Sequence, residues 1–305
     1  MDSRIILSTA DFSANNIGRI VELSDLTKKV LTKQTQYTED SEEAVALDTF
    51  LTNLTSGGFI GGNSPLLTSL FIPALANSHD ELLYNIASLD GNGYPVNGMS
   101  DGEISASQKA YAPYKKNGKT IAICRHAVQG DEAISDESTQ LDIDSKLFTE
   151  TGAYKSFSLA MYCLSTTSTS SGTTKVIRNG SSTGAKFRIT YQNKIVFTDP
   201  SYVDELSAPI EGTLLGFNGI SYVKDTRFEG MGDHITIGNT TITDITKVTI
   251  TDAAKASKLR IGEFKYGDIC VIPVLATGEY MDSTKLGQLR TYVNTLLTAL
   301  HATEL

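Results

Sequence analysis

Two carboxylates with a spacing suited to acid–base chemistry occur in the stretch LDIDSK, where Asp142 and Asp144 are two residues apart. In a β-strand this spacing places both residues on one face, and glycoside hydrolases use a facing pair of carboxylates roughly 5 to 10 Å apart. Leu141 and Ile143 share the stretch, and an acidic segment precedes it. We favour the alternative interpretation, a charged strand edge that prevents pairing with other chains.

The common nucleotide-binding motifs are missing from the sequence. It contains no GxxxxGK[ST] or strand-associated GxGxxG pattern, which argues against the common nucleotide-binding chemistries. Asp233 and His234 are adjacent, but we expect His234 to begin a strand after a glycine turn. No histidine has a second His or Cys at zinc-ligand spacing; the four are His79, His126, His234 and His301.

The stretch DGNG, from Asp90 to Gly93, is a second metal candidate because its oxygen donors are two residues apart. It lacks the order of acidic residues and the terminal Glu that an EF-hand loop needs. We therefore predict an ordinary turn here and no cofactor for the chain, with bound calcium as the alternative.

Carbohydrate binding is the remaining chemistry that the residue types allow. The chain has no tryptophan, which usually stacks on sugars, but it has 13 tyrosines. Tyrosine combines an apolar ring with a polar hydroxyl, and asparagine in a loop adds hydrogen bonds. The predicted ligand-binding residues are of these two types and lie in or near loops: Tyr94, Asn97, Tyr111 and Tyr114.

Composition limits the partners of the chain. Its 305 residues carry a net charge of -9 at pH 7, which opposes binding to nucleic acid. No apolar run approaches the roughly 18 residues of a membrane span, so no membrane insertion is expected. Residues 1–20 lack the features of a secretory signal. Three widely spaced cysteines are expected to be small buried hydrophobes rather than disulfides; they are Cys124, Cys163 and Cys270.

Helices are predicted in the first 89 residues, where capping residues precede apolar positions at helical spacing. Glycine or proline ends two of these patterns. The predicted helices run from Ser24 through Leu31, from Asp40 or Ser41 to Gly57, from Ser64-Pro65 through Phe71, and from His79 to Ala87.

Beyond a glycine-rich loop at residues 90–106, the apolar period changes to two, which indicates strands. Hairpin turns follow one another, so we predict a mainly β chain with an antiparallel β-sandwich or jelly roll. Ser165 to Thr174 is a predicted mobile hairpin tip, Gly262 to Ala276 holds two strands, and a helix covers Ser283 to Ala299. The predicted turns are Asn117-Gly118, Gln192-Asn193, Asn218-Gly219 and Gly238-Asn239.

Several stretches of the second part resemble the concanavalin A-like and laminin G-like jelly rolls. The resemblance rests on strand-like segments and on a hydroxyl-rich turn before the last helix. It implies a lectin-like domain over residues 107–305. The stretches are FSLAMYC (157–163), FRITYQNKIVF (187–197), GISYVKD (219–225) and IGEFKYGDICVIPVLATGEYMDSTKLGQLRTYVNTLL (261–297).

The first part is similar to the N-terminal region of virion proteins from tailed, crAss-like phages of gut bacteria. The similarity lies in SRIILSTADFSANNIGRI (3–20) and HDELLYNIAS (79–88). It implies an extended anchor over residues 1–20, a small helical docking domain over 21–89 and a linker over 90–106. The anchor holds apolar residues that so short a segment cannot bury by itself, so a neighbouring chain should cover them. The alternative is that they pack on the helices of the same chain. The predicted docking residues are Ile5, Ile6, Leu7, Phe12, Ile17 and Ile20.

The resemblance implies a virion structural protein, a fibre or appendage component of head or tail. Such a protein is assembled in the bacterial cytoplasm and displayed outside the particle. Its expected partners are other virion proteins, further copies of itself, for example in a trimer, and a glycan of the host surface. No catalytic residue carries over, so no enzyme is expected. The alternatives are a glycan depolymerase on the same scaffold and a purely architectural adaptor.

Overall fold

The computed structural model describes residues 22–94, 111–126, 141–144, 157–167, 175–179, 187–190, 194–197, 208–209, 216–223, 233–237, 240–245, 258–263 and 269–303. The helices in these ranges are α1 (Asp25–Leu31), α2 (Glu42–Ser56) and α3 (Ser283–Ala299). The strands are β1 (Leu67–Phe71), β2 (Tyr111–Lys116), β3 (Lys119–His126), β4 (Leu141–Asp144), β5 (Phe157–Cys163), β6 (Ser165–Thr167), β7 (Lys175–Asn179), β8 (Phe187–Thr190), β9 (Lys194–Phe197), β10 (Ala208–Pro209), β11 (Gly216–Val223), β12 (Asp233–Ile237), β13 (Thr240–Ile245), β14 (Lys258–Glu263), β15 (Ile269–Ile272) and β16 (Val274–Gly278).

The described strands form three sheets, and all their pairings are antiparallel. The first sheet has the order β1-β16-β5-β11-β12-β13, the second β10-β9-β8-β7-β14-β4, and the third β2-β3-β15-β6. The chain is therefore mainly antiparallel β with few helices, as the sequence predicts. This arrangement is consistent with a β-sandwich.

The first and third sheets share a two-stranded ribbon. Strand β5 continues through Leu164 into β6, and β15 continues through Pro273 into β16. The β5–β16 half of the ribbon lies in the first sheet and the β6–β15 half in the third. At the junction, the Leu164 N–H donates to the Val271 carbonyl at 2.9 Å. Strands that pass from one sheet to another make corners in β proteins, so the ribbon links the two sheets.

The predicted helix caps are confirmed in the structure. Ser24 Oγ accepts a hydrogen bond from the Thr27 N–H at 3.3 Å, and Ser41 Oγ accepts one from the Ala44 N–H at 3.1 Å. Helix α3 has the predicted bounds and is capped by Asp282. These caps satisfy backbone donors that the first turn of a helix leaves without partners.

The helix predicted after Ser64-Pro65 is wrong, because residues 67–71 form strand β1. Its apolar residues have helical spacing, but β1 pairs with β16 instead. Ser69 is fully buried, and its hydroxyl forms a hydrogen bond with the hydroxyl of Thr277 on β16. The tertiary pairing therefore overrides the local pattern.

The helix predicted from His79 to Ala87 is also wrong. The chain forms short 3-10 turns at His79–Glu81 and Ile86–Ser88. Between them, the Asn85 side chain accepts from the Leu70 N–H at 2.9 Å and donates to the Thr68 carbonyl at 3.2 Å. Because Asn85 pairs with β1, which lies at a sheet edge, the segment bends over that edge instead of continuing as a helix.

A separate docking domain would have a hydrophobic core of its own. The residues before the glycine-rich loop instead pack against other parts of the chain as well. Helices α1 and α2 share one hydrophobic core with β3, β5, β15, β16 and α3. Phe59, which follows α2, contacts Tyr292 of α3 in a T-shaped arrangement with ring centroids 6.1 Å apart. The predicted boundary at 90–106 lies largely outside the described residues and stays a prediction.

Three of the four predicted hairpins pair as expected. Asn117 and Gly118 have φ values of 51° and 80°, as a two-residue type I′ turn between β2 and β3 requires. Strands β8 and β9, and β12 and β13, also pair in antiparallel register. The hairpin tip predicted at Ser165 to Thr174 is wrong in part, because Ser165–Thr167 is strand β6, and β5 and β7 lie in different sheets.

The turn predicted at Asn218-Gly219 is wrong, because both residues lie inside the continuous strand β11. A Cβ at Gly219 would meet the Leu286 side chain at 3.0 Å and the Phe217 ring at 3.2 Å. Glycine in a strand often marks a close approach by another element. Here it lets α3 lie directly on the sheet.

Gly278 at the end of β16 provides a test of the β1–β16 pairing. A Cβ at this position would meet the Leu66 carbonyl oxygen at 2.0 Å and the Leu67 Cα at 2.9 Å. Because these are backbone atoms, we expect Gly278→Ala to lower the free energy of unfolding by about 3 kcal/mol. Urea unfolding followed by circular dichroism measures this change.

The matched control is Gly287→Ala in α3, where an added Cβ meets no atom within 4 Å. Alanine is the better helix former, so this variant should be more stable by about 0.5 to 1 kcal/mol. Equal unfolding midpoints for Gly278→Ala and the unmodified chain would contradict the close β1–β16 approach.

Candidate functional site

Tyr94 lies at the end of a turn that displays its ring to solvent. Within the described residues it is the exposed large hydrophobic residue, with 68% of its surface accessible. Asp90 Oδ1 accepts hydrogen bonds from the Asn92 N–H at 2.8 Å and from the Tyr94 N–H at 2.9 Å. The Asp90 N–H in turn donates to the Tyr94 carbonyl at 2.8 Å. The backbone that carries the ring is therefore fixed by three hydrogen bonds.

Two glycines let this turn lie against the helices. Gly93 has a φ of 80°, and a Cβ there would meet the Lys29 Cβ of α1 at 3.1 Å. A Cβ at Gly91 would meet the Thr55 side chain of α2 at 3.2 Å. The DGNG stretch thus forms the predicted turn, in which the Asp90 carboxylate binds backbone N–H groups. The prediction that the chain has no cofactor, with bound calcium as the alternative, stays a prediction.

The other predicted ligand-binding residues are placed differently. Tyr111 and Tyr114 both lie in β2, and the side chain of Tyr111 is outside the described part of the chain. Tyr114 is half-buried and packs against the core. Asn97 lies outside the described residues. Of the predicted ligand-binding residues whose side chains the structure describes, Tyr94 is the one that is exposed to solvent.

Asp142 and Asp144 lie in β4, which is an edge strand of the second sheet. In the pairing with β14, Asp142 is opposite Arg260 and Asp144 is opposite Lys258. Opposite charges in directly paired positions stabilise an antiparallel pair. This register agrees with the interpretation as a charged strand edge.

The predicted docking residues lie in residues 1–21, outside the described part of the chain; they are Ile5, Ile6, Leu7, Phe12, Ile17 and Ile20. Their role stays a prediction. Within the described residues, no group of three or more His, Cys, Asp and Glu side chains is arranged to hold a metal ion. None of the helices in the described ranges has the length and apolar character of a membrane span.

Cys163 is a free, buried thiol in β5. Burial raises the pKa of this thiol well above its ordinary value. Because the thiolate is the reactive form of cysteine, Cys163 has the inert character expected of a small core residue. The side chains of Cys124 and Cys270 lie outside the described part.

A cavity of about 450 Å³ between the β2–β3 turn and the C-terminal end of α3 is a second candidate site. The turn contributes Lys116, Asn117 and Lys119, and the end of α3 contributes Thr298 and His301. None of the described residues that line the cavity is acidic, but Glu43 binds Lys119 beside it. The sequence offers no signal for this site, because its two walls are far apart in the chain.

Lys119 is held at the cavity by residues of the first part of the chain. Its Nζ donates to Glu43 Oε1 at 2.7 Å and lies 4.7 Å from the centroid of the Tyr37 ring. Burial of Glu43 would raise the pKa of its carboxyl, but the hydrogen bond from Lys119, a backbone hydrogen bond and the charges of Lys119 and His301 together lower that pKa. The same hydrogen bond raises the pKa of Lys119. Both partners are therefore charged at neutral pH.

Gln36 holds the start of β3 through its side-chain amide. Gln36 Oε1 accepts from the Thr120 N–H at 2.6 Å, and Gln36 Nε2 donates to the Thr120 carbonyl at 2.6 Å. Nε2 also donates to the Ala74 carbonyl at 2.9 Å. These bonds and the Lys119–Glu43 pair fix the wall of the cavity that the hairpin provides.

Comparison with known proteins assigns no family to the chain. No protein-family model matches it, and no curated protein matches it. Several solved structures are partly similar to this chain. A sialidase from Trypanosoma rangeli is 10% identical with a TM-score of 0.46, and the match covers 83% of this chain and 38% of the sialidase.

Two further structures show a similar degree of likeness. The botulinum neurotoxin type G receptor-binding domain is 7% identical with a TM-score of 0.44, over 74% of this chain and 51% of that domain. A carbohydrate esterase from the Shiga toxin-encoding bacteriophage phi24B is 12% identical with a TM-score of 0.37, over 70% of this chain and 99% of the esterase. This chain therefore spans about half or less of the first two proteins, and TM-scores below 0.5 give no basis for transferring an activity.

Proposed function

We propose that this chain is a non-catalytic, carbohydrate-binding virion protein that displays an aromatic sugar-stacking residue. The observation that carries the proposal is the exposure of Tyr94 on a turn fixed by Asp90. A ring left 68% exposed on a backbone held by three hydrogen bonds loses little conformational freedom when a ligand stacks on it. Its hydroxyl and the neighbouring polar backbone provide hydrogen bonds to a sugar.

The lectin-like jelly roll is part of the same proposal. It is supported by the antiparallel sheets and by the strand stretches that resemble concanavalin A-like and laminin G-like domains. The virion role is supported by the similarity of residues 3–20 and 79–88 to phage virion proteins. The proposed partners are host-surface glycan, other virion proteins and further copies of the chain.

Display in many copies suits a single aromatic site. One such site gives weak affinity, about millimolar. When many copies stand on one particle, later contacts become intramolecular, and the overall binding strengthens by orders of magnitude. A virion protein therefore needs no deep pocket to hold a polysaccharide.

The proposal predicts that Tyr94→Ala weakens glycan binding while Tyr94→Phe retains most of it. Loss of the ring removes about 1 kcal/mol of stacking, which corresponds to roughly fivefold weaker binding. Binding of the purified chain to a panel of immobilised bacterial capsular polysaccharides measures the effect. Absence of binding to every member of the panel, or equal binding by Tyr94→Ala, would contradict the proposal.

Asp90 provides the control for the role of the turn. Asp90→Asn keeps the Oδ1 acceptor for the Asn92 and Tyr94 N–H groups, whereas Asp90→Ala removes it. We expect Asp90→Asn to bind like the unmodified chain and Asp90→Ala to bind more weakly. Both variants keep the Tyr94 ring, so this difference reports the fixed position of the ring.

The absence of catalysis is a separate prediction. Incubation of the chain with the polysaccharides it binds should release no reducing ends above background, because Asp142 and Asp144 lie opposite basic residues in an edge strand. If reducing ends are released, and this release disappears in Asp142→Asn or Asp144→Asn, the alternative function, a depolymerase, would be established. A reducing-sugar assay measures it.

The docking role of the first residues is tested by deletion. We expect removal of residues 1–20 to abolish incorporation into particles or to reduce the oligomer mass, because this segment is too short to cover its own apolar residues. Light scattering and particle composition measure these effects. Unchanged mass and incorporation would show that the segment packs on its own chain instead.

A further inference from the structure

Asparagine followed by glycine is prone to a spontaneous reaction, in which the glycine amide nitrogen attacks the carbonyl of the asparagine side chain. Glycine favours the attack because it has no Cβ to obstruct it. The structure describes the glycine in three of the five Asn-Gly pairs of the chain, and it places these three in different surroundings. The five pairs are Asn92-Gly93, Asn97-Gly98, Asn117-Gly118, Asn179-Gly180 and Asn218-Gly219.

Gly93 is buried in the turn that carries Tyr94. Its N–H donates to the Asp90 carbonyl at 3.0 Å. A Cβ built on Gly93 would lie 3.1 Å from the Lys29 Cβ of α1. The nitrogen that would have to attack Asn92 is therefore engaged in a hydrogen bond, and the turn around it is packed against a helix.

Gly219 is buried inside β11, which lies between β5 and β12 in the first sheet. A Cβ at this position would meet the Leu286 side chain of α3 at 3.0 Å. Asn218 is opposite Met161 in the pairing with β5. Ring closure requires the Asn218 backbone to rotate, and that rotation would disrupt the pairing of β11 with β5.

Asn117 and Gly118 are the two loop residues of the β2–β3 hairpin, and both are exposed. A Cβ on Gly118 would meet no atom within 4 Å. Among the described residues, none accepts a hydrogen bond from the Gly118 N–H. The last pair of the ladder is Lys116 with Lys119, so the two loop residues can reorient while the strands stay paired.

We propose that Asn117 is a site of spontaneous deamidation, and that it reacts faster than Asn92 and Asn218. The Gly118 nitrogen gives up its proton and forms a bond to Asn117 Cγ. The Cγ–Nδ2 bond breaks, and the side-chain nitrogen leaves as ammonia, which carries that proton. The product is a five-membered succinimide ring between the two residues.

Water then opens the ring at one of its two carbonyls. Addition at Cγ breaks the new bond and gives aspartate at position 117. Addition at the main-chain carbonyl breaks the original peptide bond and gives isoaspartate, in which the backbone runs through Cγ. Water is the only co-reactant of the two steps.

The two products differ in their effect on the hairpin. Both place a new carboxylate between Lys116 and Lys119 in the chain. Aspartate followed by glycine also favours the type I′ turn, so this product keeps the hairpin. Isoaspartate adds one carbon to the backbone of a two-residue loop, and the length of the loop fixes the register of a hairpin. We expect it to loosen the β2–β3 pairing and the contact of Lys119 with Glu43.

Peptide mapping by mass spectrometry tests the inference on the full chain, aged in a mildly alkaline buffer. All sites are compared in one sample. In the folded chain, Asn117 should react at least tenfold faster than Asn92 and Asn218, because these two react only when the structure opens locally. In denaturant the difference should disappear, because each of the three asparagines precedes a glycine and the structure no longer separates them.

Asn117→Gly is the matched control, because Gly-Gly also suits a type I′ turn. This variant should fold normally, show no reaction at position 117 and leave the rate at Asn92 unchanged. Asn117→Asp separates the effect of the charge from that of the backbone. It should unfold at the same urea concentration as the unmodified chain, whereas the isoaspartate fraction of the aged chain should unfold at a lower one.

A folded chain in which Asn117 stays intact, or reacts no faster than Asn92 and Asn218, would overturn the inference. The glycan assays have no bearing on this outcome, because the reaction needs only water. A chain that binds no glycan would therefore reject the proposed function and leave the modification site in place.

Discussion

The backbone pairing of β1 with β16 is the contact on which the placement of the other elements depends. Ser69 and Thr277 share a buried hydroxyl–hydroxyl hydrogen bond across it although they are 208 residues apart in sequence. Gly278 permits Leu66 to approach more closely than any side chain would allow. Because β1 follows α1 and α2 directly, its position in the sheet also fixes where those helices can pack. Their apolar faces pack in the core that they share with α3 and the first sheet.

Helix α2 connects the cavity beside the β2–β3 turn with the turn that carries Tyr94. Its first turn holds Glu43, which binds Lys119 at the cavity, and its last turn holds Thr55, which contacts the turn that carries Tyr94. A helix of 15 residues spans roughly 22 Å at about 1.5 Å per residue. The cavity and the Tyr94 turn thus lie near opposite ends of one rigid element.

Features determined by short-range chemistry could be predicted from the sequence. The bounds of α3 follow from apolar spacing, the Asn117-Gly118 hairpin from the preference of its two residues for positive φ, and the exposure of Tyr94 from its glycine-rich turn. Features determined by distant partners could not. The apolar spacing of β1 matches a helix, and only β16 makes it a strand; Gly219 resembles a turn residue until α3 is seen to cover it. The cavity has walls from β2, β3 and α3, so no local pattern marks it.

The same long separation between β1 and β16 also has a consequence for synthesis. A chain that emerges from the ribosome presents α1, α2 and β1 long before residues 274–297 exist, and folding slows when the contacts that complete a core are distant in sequence. During that interval the apolar faces of the first helices and the unpaired edge of β1 are open to other nascent chains. We therefore expect this protein to depend on a chaperone, or on slow translation at low temperature, for a good yield of folded product.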